Sequence, residues 1–332
     1  MKKRFLVAAM AATLVSPLAA QADATVYGNV HLSLDSPSFE NNATNDNIRM
    51  NSNTSSIGVK GKEDLGGGMS AIFKLEFEVD PSERNRASDG NNSVLDRDQW
   101  VGLKGSMGTV KFGTMSNNYK QMGGKIDPMY RTQLEGRGFM DMQSSLHSGA
   151  GSNGGRSTNT FQYTSPKMGG MNVVFNYTFA GNDDETLGLG VHYKTKTIIG
   201  YIDYLDVQAN NAAGDSEAAI KVGGSFKAGA MTFGLQYELV EDVNLVKNVS
   251  PSDGTAGNVG NDVIFASFNF QMTDSGNIAF TLGDNGTDDV GYALMYNHKL
   301  SKRTNTYVGY GDNASQKADD QQDITFGLRH KF

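Results

Sequence analysis

The stretch DITFGLRHKF (residues 323–332) places Ile324, Phe326, Leu328, His330 and Phe332 on one side of an extended chain. Asp323, Thr325, Gly327, Arg329 and Lys331 fall on the other. Such period-two alternation marks a strand with one dry face and one wet face. Whether the dry face meets a protein core or lipid depends on the rest of the chain. The pattern recurs from end to end, in ATVYGNVHLSL (24–34), MSAIFKLEFEV (69–79), MNVVFNYTFAG (171–181) and DVIFASFNFQM (262–272) among others, giving sixteen runs in all. An even number of antiparallel strands returns both termini to one side and permits closure.

The connections between the runs are of two kinds. Those at 64–68, 106–108, 167–170, 227–229 and 300–302 are tight, and they alternate with long polar ones at 36–55, 80–96, 207–217, 241–261 and 312–322. The dry face, for example Phe73, Leu75, Phe233, Leu235 and Phe268, is almost free of charge. Lipid demands this, because a charge facing hydrocarbon at the bilayer midplane costs about 2–4 kcal/mol. The wet face carries lysines and carboxylates that a dry core would not tolerate. Tyr and Phe recur near the strand ends (Tyr27, Phe77, Tyr177, Tyr193, Tyr237), as interfacial girdles would. Together these features predict an all-β protein: a 16-stranded antiparallel transmembrane β-barrel with short periplasmic turns and long extracellular loops. The dry face of DITFGLRHKF is then turned to lipid.

Residues 1–22, MKKRFLVAAMAATLVSPLAAQA, have a basic start, an apolar run and a small-residue end, the pattern of a cleaved secretory signal. The expected mature chain is Asp23–Phe332, one barrel domain. Losing Lys2, Lys3 and Arg4 takes its formal charge from −7 to −10. With no cysteine, an exported chain has no disulfide staple.

Lys60, Lys62, Lys74, Lys104 and Lys111 make the early wet wall basic. Between Met115 and Arg156 the alternation fails over a stretch too long for a hairpin loop. This segment (116–156) holds Lys120, Lys125, Asp127, Arg131, Glu135, Arg137 and Asp141. Folded into the lumen it would narrow the channel, its charged groups facing the wall across a transverse field, and the alternative is a large external loop. The sign of the selectivity stays open: the wall is basic, but the external loops are rich in Asp and Glu and could concentrate cations at the mouth.

SSIGVKGKEDLGGGMSAIFKLE (55–76), RDQWVGLKGSMGTVKFGTM (97–115), TVYGNVHLSLD (25–35) and the terminal FGLRHKF (326–332) resemble the general Gram-negative outer-membrane porins of the beta- and gamma-proteobacterial type. The resemblance covers the whole mature chain. It implies a homotrimer, an inward third loop, and passive diffusion of small hydrophilic solutes and ions. It also implies lipopolysaccharide contacts and recognition of Phe332 by the barrel assembly machinery. Arg97 matches the family's arginine ahead of WVGL and is carried over as a pore residue. Its parity with Val101 would turn it to lipid, so it must lie above the bilayer or follow a bulge. Where many members have arginine before IG of the second strand, this chain has Ser56. The enteric acidic loop motif is also missing, so Asp127, Glu135 and Asp141 are candidates for the loop carboxylates. The trimer contact is expected on the first and last strands, around Tyr27, Val30, Leu32, Phe326, Leu328 and Phe332.

Other readings have thinner support. His147 stands among Ser144, Ser145 and Ser148, a pairing that chance supplies readily, and the other histidines read as outer or interfacial. DNGTDD (284–289) suits a turn better than a calcium site. No cofactor or metal is expected. A substrate-selective channel for an anion, sugar or phosphate on the same barrel is the main alternative, with Trp100 and Tyr307 as its inward aromatics.

Overall fold

The computed structural model describes residues 23–39, 47–83, 94–137, 139, 156–179, 186–208, 216–240, 262–284, 290–313 and 321–332. The first half of the chain forms β1 (Asp23–Phe39), β2 (Arg49–Ser52), β3 (Ser56–Gly66), β4 (Met69–Val79), β5 (Val94–Gly105) and β6 (Gly108–Met115). A helix α1 (Asn118–Ile126) follows, then β7 (Ser157–Thr164), β8 (Met171–Thr178) and β9 (Thr186–Lys194). The remainder is β10 (Ile198–Gln208), β11 (Ser216–Ala228), β12 (Met231–Val240), β13 (Asp262–Gln271), β14 (Gly276–Asp284), β15 (Val290–Lys299), β16 (Thr304–Asp312) and β17 (Gln321–Lys331). Each strand pairs antiparallel with its neighbours, and β1 pairs with β17, closing the sheet on itself.

The seventeen segments occupy sixteen wall positions, because β2 and β3 both pair with β1 and form one interrupted strand. At the interruption Thr54 takes a positive φ of 58°. The backbone freed there is satisfied by side chains: Ser55 Oγ accepts from His31 N at 2.9 Å, and Asn29 Nδ2 donates to Thr54 O at 3.3 Å. At the closing seam, Phe332 N donates to Gly28 O and Gly28 N to Phe332 O, both at 3.1 Å. A Cβ on Gly28 would meet the Phe332 ring at 2.5 Å, so glycine is what admits the terminal aromatic.

Alternation sets the two faces. On β17, Ile324, Phe326 and Leu328 are exposed while Asp323, Thr325 and Gly327 are buried inward. The outward apolar set runs round the barrel, through Val101, Leu103, Leu235 and Leu294. Among the described residues no helix is long and apolar enough to span a bilayer, and a closed barrel needs none.

Three sequence assignments are corrected. Tyr27 is not an outer girdle or contact residue: it has the inward parity of Asn29 and His31, and its hydroxyl donates to Glu76 Oε2 at 2.7 Å. His31 and His192 also point inward and are buried, bonded to Tyr307 Oη at 2.9 Å and to Asp203 Oδ1 at 2.8 Å. An aromatic or imidazole ring near a strand end suits lipid or lumen equally, and a lumenal partner for its polar atom decided these cases.

Candidate functional site: the lumen and its loop

β6 leaves the wall through a register shift between Gly113 and Met115. Gly113 has φ 135°, and a Cβ there would meet Gln99 O at 2.3 Å. The chain then enters α1, which Asn117 caps by accepting from Lys120 N at 3.0 Å. The helix lies inside the barrel against β8–β12. Asn118 fixes its first turn, donating from its backbone N to Asn176 Oδ1 at 2.8 Å and from Nδ2 to Asp203 Oδ1 at 2.9 Å. Lys221 donates to Tyr119 O and lies over the Tyr119 ring at 4.0 Å from its centroid. The Tyr119 hydroxyl donates to Glu238 Oε2 at 2.9 Å, and Ser267 Oγ donates to Ile126 O at 2.6 Å.

Beyond the helix, Met129, Leu134 and Phe139 pack with Met122 and Ile126 on an apolar patch of the inner wall that includes Phe265, Ala279, Ala293 and Met295. The lumen is therefore not polar all round. Small inward residues make the room. A Cβ on Gly309 would meet Leu134 at 2.8 Å, one on Gly311 would meet Phe139 at 2.7 Å, and one on Gly188 would meet Asn118 Oδ1 at 2.0 Å.

Opposite this seat stand β4–β7. A register shift between Leu75 and Phe77 sets one residue of β4 against two of β5, turning both Arg97 and Asp98 inward. Arg97 is 3% exposed and is held by Glu76 at 2.6 Å and by Glu78. Lys74 bridges Glu76 at 3.0 Å and Asp98 at 2.8 Å, and Arg156 reaches Asp98 at 2.8 Å. Lys111 lies over the Trp100 ring, 4.7 Å from its centroid.

Between loop and wall is a cavity of about 460 Å³. Lys74, Lys111, Lys120, Lys125, Arg131 and Arg156 line it, with Glu76 and Asp98 as the carboxylates. Tyr130 stands in the same lining, flanked by the guanidiniums of Arg131 and Arg137 at 5.5 and 5.4 Å. Arg131 adopts φ 68°, its amide donating to Glu135 Oε2 at 2.8 Å, and Glu135 also pairs with Arg137 at 3.0 Å.

The sequence candidates thus separate. Lys74, Lys111 and Arg131 come together at the cavity; Arg97 lies behind Glu76; Arg137 and Glu135 pair with one another. Lys60 sits over Tyr27 at 4.9 Å, and Lys62 and Lys104 are exposed toward the turn end. Asp127 is not part of this lining: it is buried and accepts from Met129 N at 2.8 Å and Gly136 N at 3.0 Å, tying the loop to itself. Burial, reinforced by Glu135, pushes its carboxyl up to about 7. Burial also pushes Lys120 down to about 6, helped by the guanidiniums of Arg137, Arg156 and Arg97. Asp141 lies outside the described residues. Asp98 was not singled out from sequence, although its step of two from Trp100 would have put it on the wet face.

A closed barrel with an apolar outer surface, and a loop and charged wall facing each other across the lumen, defines a transmembrane channel. The Gram-negative porin family profile matches residues 7–318, and the chain belongs to that family. It is 26% identical to an outer membrane porin protein of Bordetella pertussis over the full length of both chains. With "Outer membrane porin protein 32" of Delftia acidovorans it shares 27% identity over 84% of this chain and 85% of that protein. The solved "Anion-selective porin from Comamonas acidovorans" superposes with TM-score 0.70 at 22% identity, covering 94% of this chain and 100% of that one. "OmpT (in-vitro folded), an outer membrane protein Vibrio cholerae (trimer form)" gives TM-score 0.66 at 15% identity, over 94% and 99% of the two chains. The protein is an outer-membrane channel for passive diffusion.

Proposed function

We propose that this channel passes small hydrophilic solutes with a preference for anions. The carrying observation is the cavity between loop and wall, where among the described residues five cationic side chains and Lys120, which is charged mainly below about pH 6, face two carboxylates. Glu76 and Asp98 are already engaged by Lys74, Arg97 and Arg156, so the lining as a whole stays rich in positive charge. Charge lining a narrow wet pore decides which ions enter it. The anion selectivity named for the Comamonas acidovorans porin is in keeping with this reading. Segment 116–156 acts as the constriction, and Lys60, Lys62 and Lys104 belong to the approach from the turn end.

The other assignments follow the family. Residues 1–22 are a signal removed on export. Three copies assemble through outer faces near the β1–β17 seam, with Phe332 read by the barrel assembly machinery and lipopolysaccharide around the rim. Passive flux needs no catalytic group, so the chain acts as a channel and not as an enzyme. The test is the reversal potential of single channels under a potassium chloride gradient. A value on the chloride side of zero supports the reading, and one on the potassium side overturns it.

A further inference from the structure

A second cavity, of about 480 Å³, shares Tyr130 with the first and opens toward the β15–β16 turn. Its charged lining is Lys299, Lys302, Arg303, Arg329 and Lys331, with no carboxylate among the described lining residues. This differs in kind from the constriction. There Lys74 and Arg156 are held by Glu76 and Asp98, whereas here none of the five cations forms an ion pair among the described residues. Arg329 is steadied by a neutral partner instead, Nε donating to Asn29 Oδ1 at 3.1 Å.

Strand parity explains the concentration. Lys299 and Lys331 follow the inward sides of β15 and β17, while Lys302 and Arg303 close the turn between β15 and β16. Like charges held around one cavity raise one another's energy, and a ligand carrying several negative charges relieves more of that repulsion than separate chloride ions do. Guanidinium forks match phosphate-type oxygens in pairs, and ammonium groups supply point charges beside them. Ser301, Thr304 and Tyr307 add hydroxyls to the same lining.

We propose that this turn-end cavity is a binding site for compact multivalent oxyanions of the phosphate type, reached from the periplasmic side and lying on the turn side of the constriction loop. The proposal rests on the channel reading above and adds a ligand class and a side of entry. Bound there, such an anion occludes the path beneath Tyr130 and reduces the current.

The test is single-channel recording in chloride with inorganic tripolyphosphate added to one compartment at a time. Because the chain has no cysteine, a Ser106→Cys variant marks the turn side for an impermeant thiol reagent. The half-blocking concentration is expected to be at least about tenfold lower from the turn side than from the loop side. The triple variant Lys299→Gln/Lys302→Gln/Arg303→Gln should lose that difference. The control Lys167→Gln/Lys227→Gln, which changes exposed lysines outside the cavity lining, should keep it. Heat-modifiable migration in detergent gels checks that each variant has folded. Equal block from both sides, or an unchanged asymmetry in the triple variant, overturns the proposal. A channel that proves cation-preferring yet keeps the turn-side block would refute the anion preference and leave this site standing.

Discussion

The half of the barrel that carries the loop and the half that faces it are made from the same strand repeat, yet their inner surfaces do opposite things. On β13–β16 the inward positions at the loop's seat are small or apolar, and Phe265, Ala279, Ala293, Gly309 and Gly311 receive Leu134 and Phe139, while Asp203, Lys221 and Glu238 on β10–β12 tie down the helix α1 through buried polar contacts. On β4–β7 the inward positions are Lys74, Glu76, Arg97, Asp98, Trp100 and Lys111, where ion pairs hold the carboxylates within a lining that is cationic on balance. Mechanical support and electrostatics are thereby divided between two walls. Seat substitutions should act on loop position, and substitutions on the charged wall should act on ion choice.

The largest effect is expected at the seat. Phe265→Ala removes a fully buried ring from under Gly136 and leaves a cavity, at a cost of about 3–5 kcal/mol to loop docking. The barrel should stay folded in detergent gels while the open channel becomes noisy and the loop more sensitive to protease. A quiet, wild-type trace would break the division.

Next in size is Glu76→Gln. Arg97 then keeps only Glu78, and Lys74 keeps only Asp98. Losing one partner of a buried pair costs about 3 kcal/mol. Thermal unfolding should come earlier, while the permeability ratio moves toward anions. A shift toward cations would contradict the wall's assigned role.

Smaller and graded is the response to pH. Lys120 is held down to about 6, so it carries less charge at pH 8 than at pH 5. For a lysine the charged form is the protonated one, so anion preference should rise as pH falls through this range. Lys120→Met should flatten that rise, which reversal potentials measured across the range would show.

Gly311→Ala sharpens the comparison from the other side. Its new methyl would meet Phe139 at 2.7 Å and Leu134 at 2.9 Å, so these loop side chains must shift at the seat, and conductance should change modestly with the permeability ratio unaltered.

Much of this architecture was legible in the sequence. The outer wall, the strand number and the alternation of short turns with long loops follow from apolar residues at every second position, which lipid enforces. The lumen was less legible, because water, a packed loop and a salt bridge accept different residues at the same parity. Inward glycines such as Gly309 and Gly311 look like strand breakers until Leu134 and Phe139 are seen above them. Phe265 broke the expectation of a polar interior because its partners come from a distant segment. Arg97 could be placed only up to a choice, since one extra residue in β5 reverses parity and a sequence does not mark where the bulge falls. The helix α1 inside the gap also went unread: with two glycines in GGK (123–125) and few apolar residues, it is stabilised by the wall and not by its own propensity.

The central claim, that ion choice belongs to the charged wall and loop position to the seat, is tested most directly by the variant Lys111→Glu. Its reversal potential under a potassium chloride gradient should cross from the chloride side to the potassium side, while channel noise and folded migration stay as in the parent. An unchanged reversal potential in a properly folded variant would contradict the account.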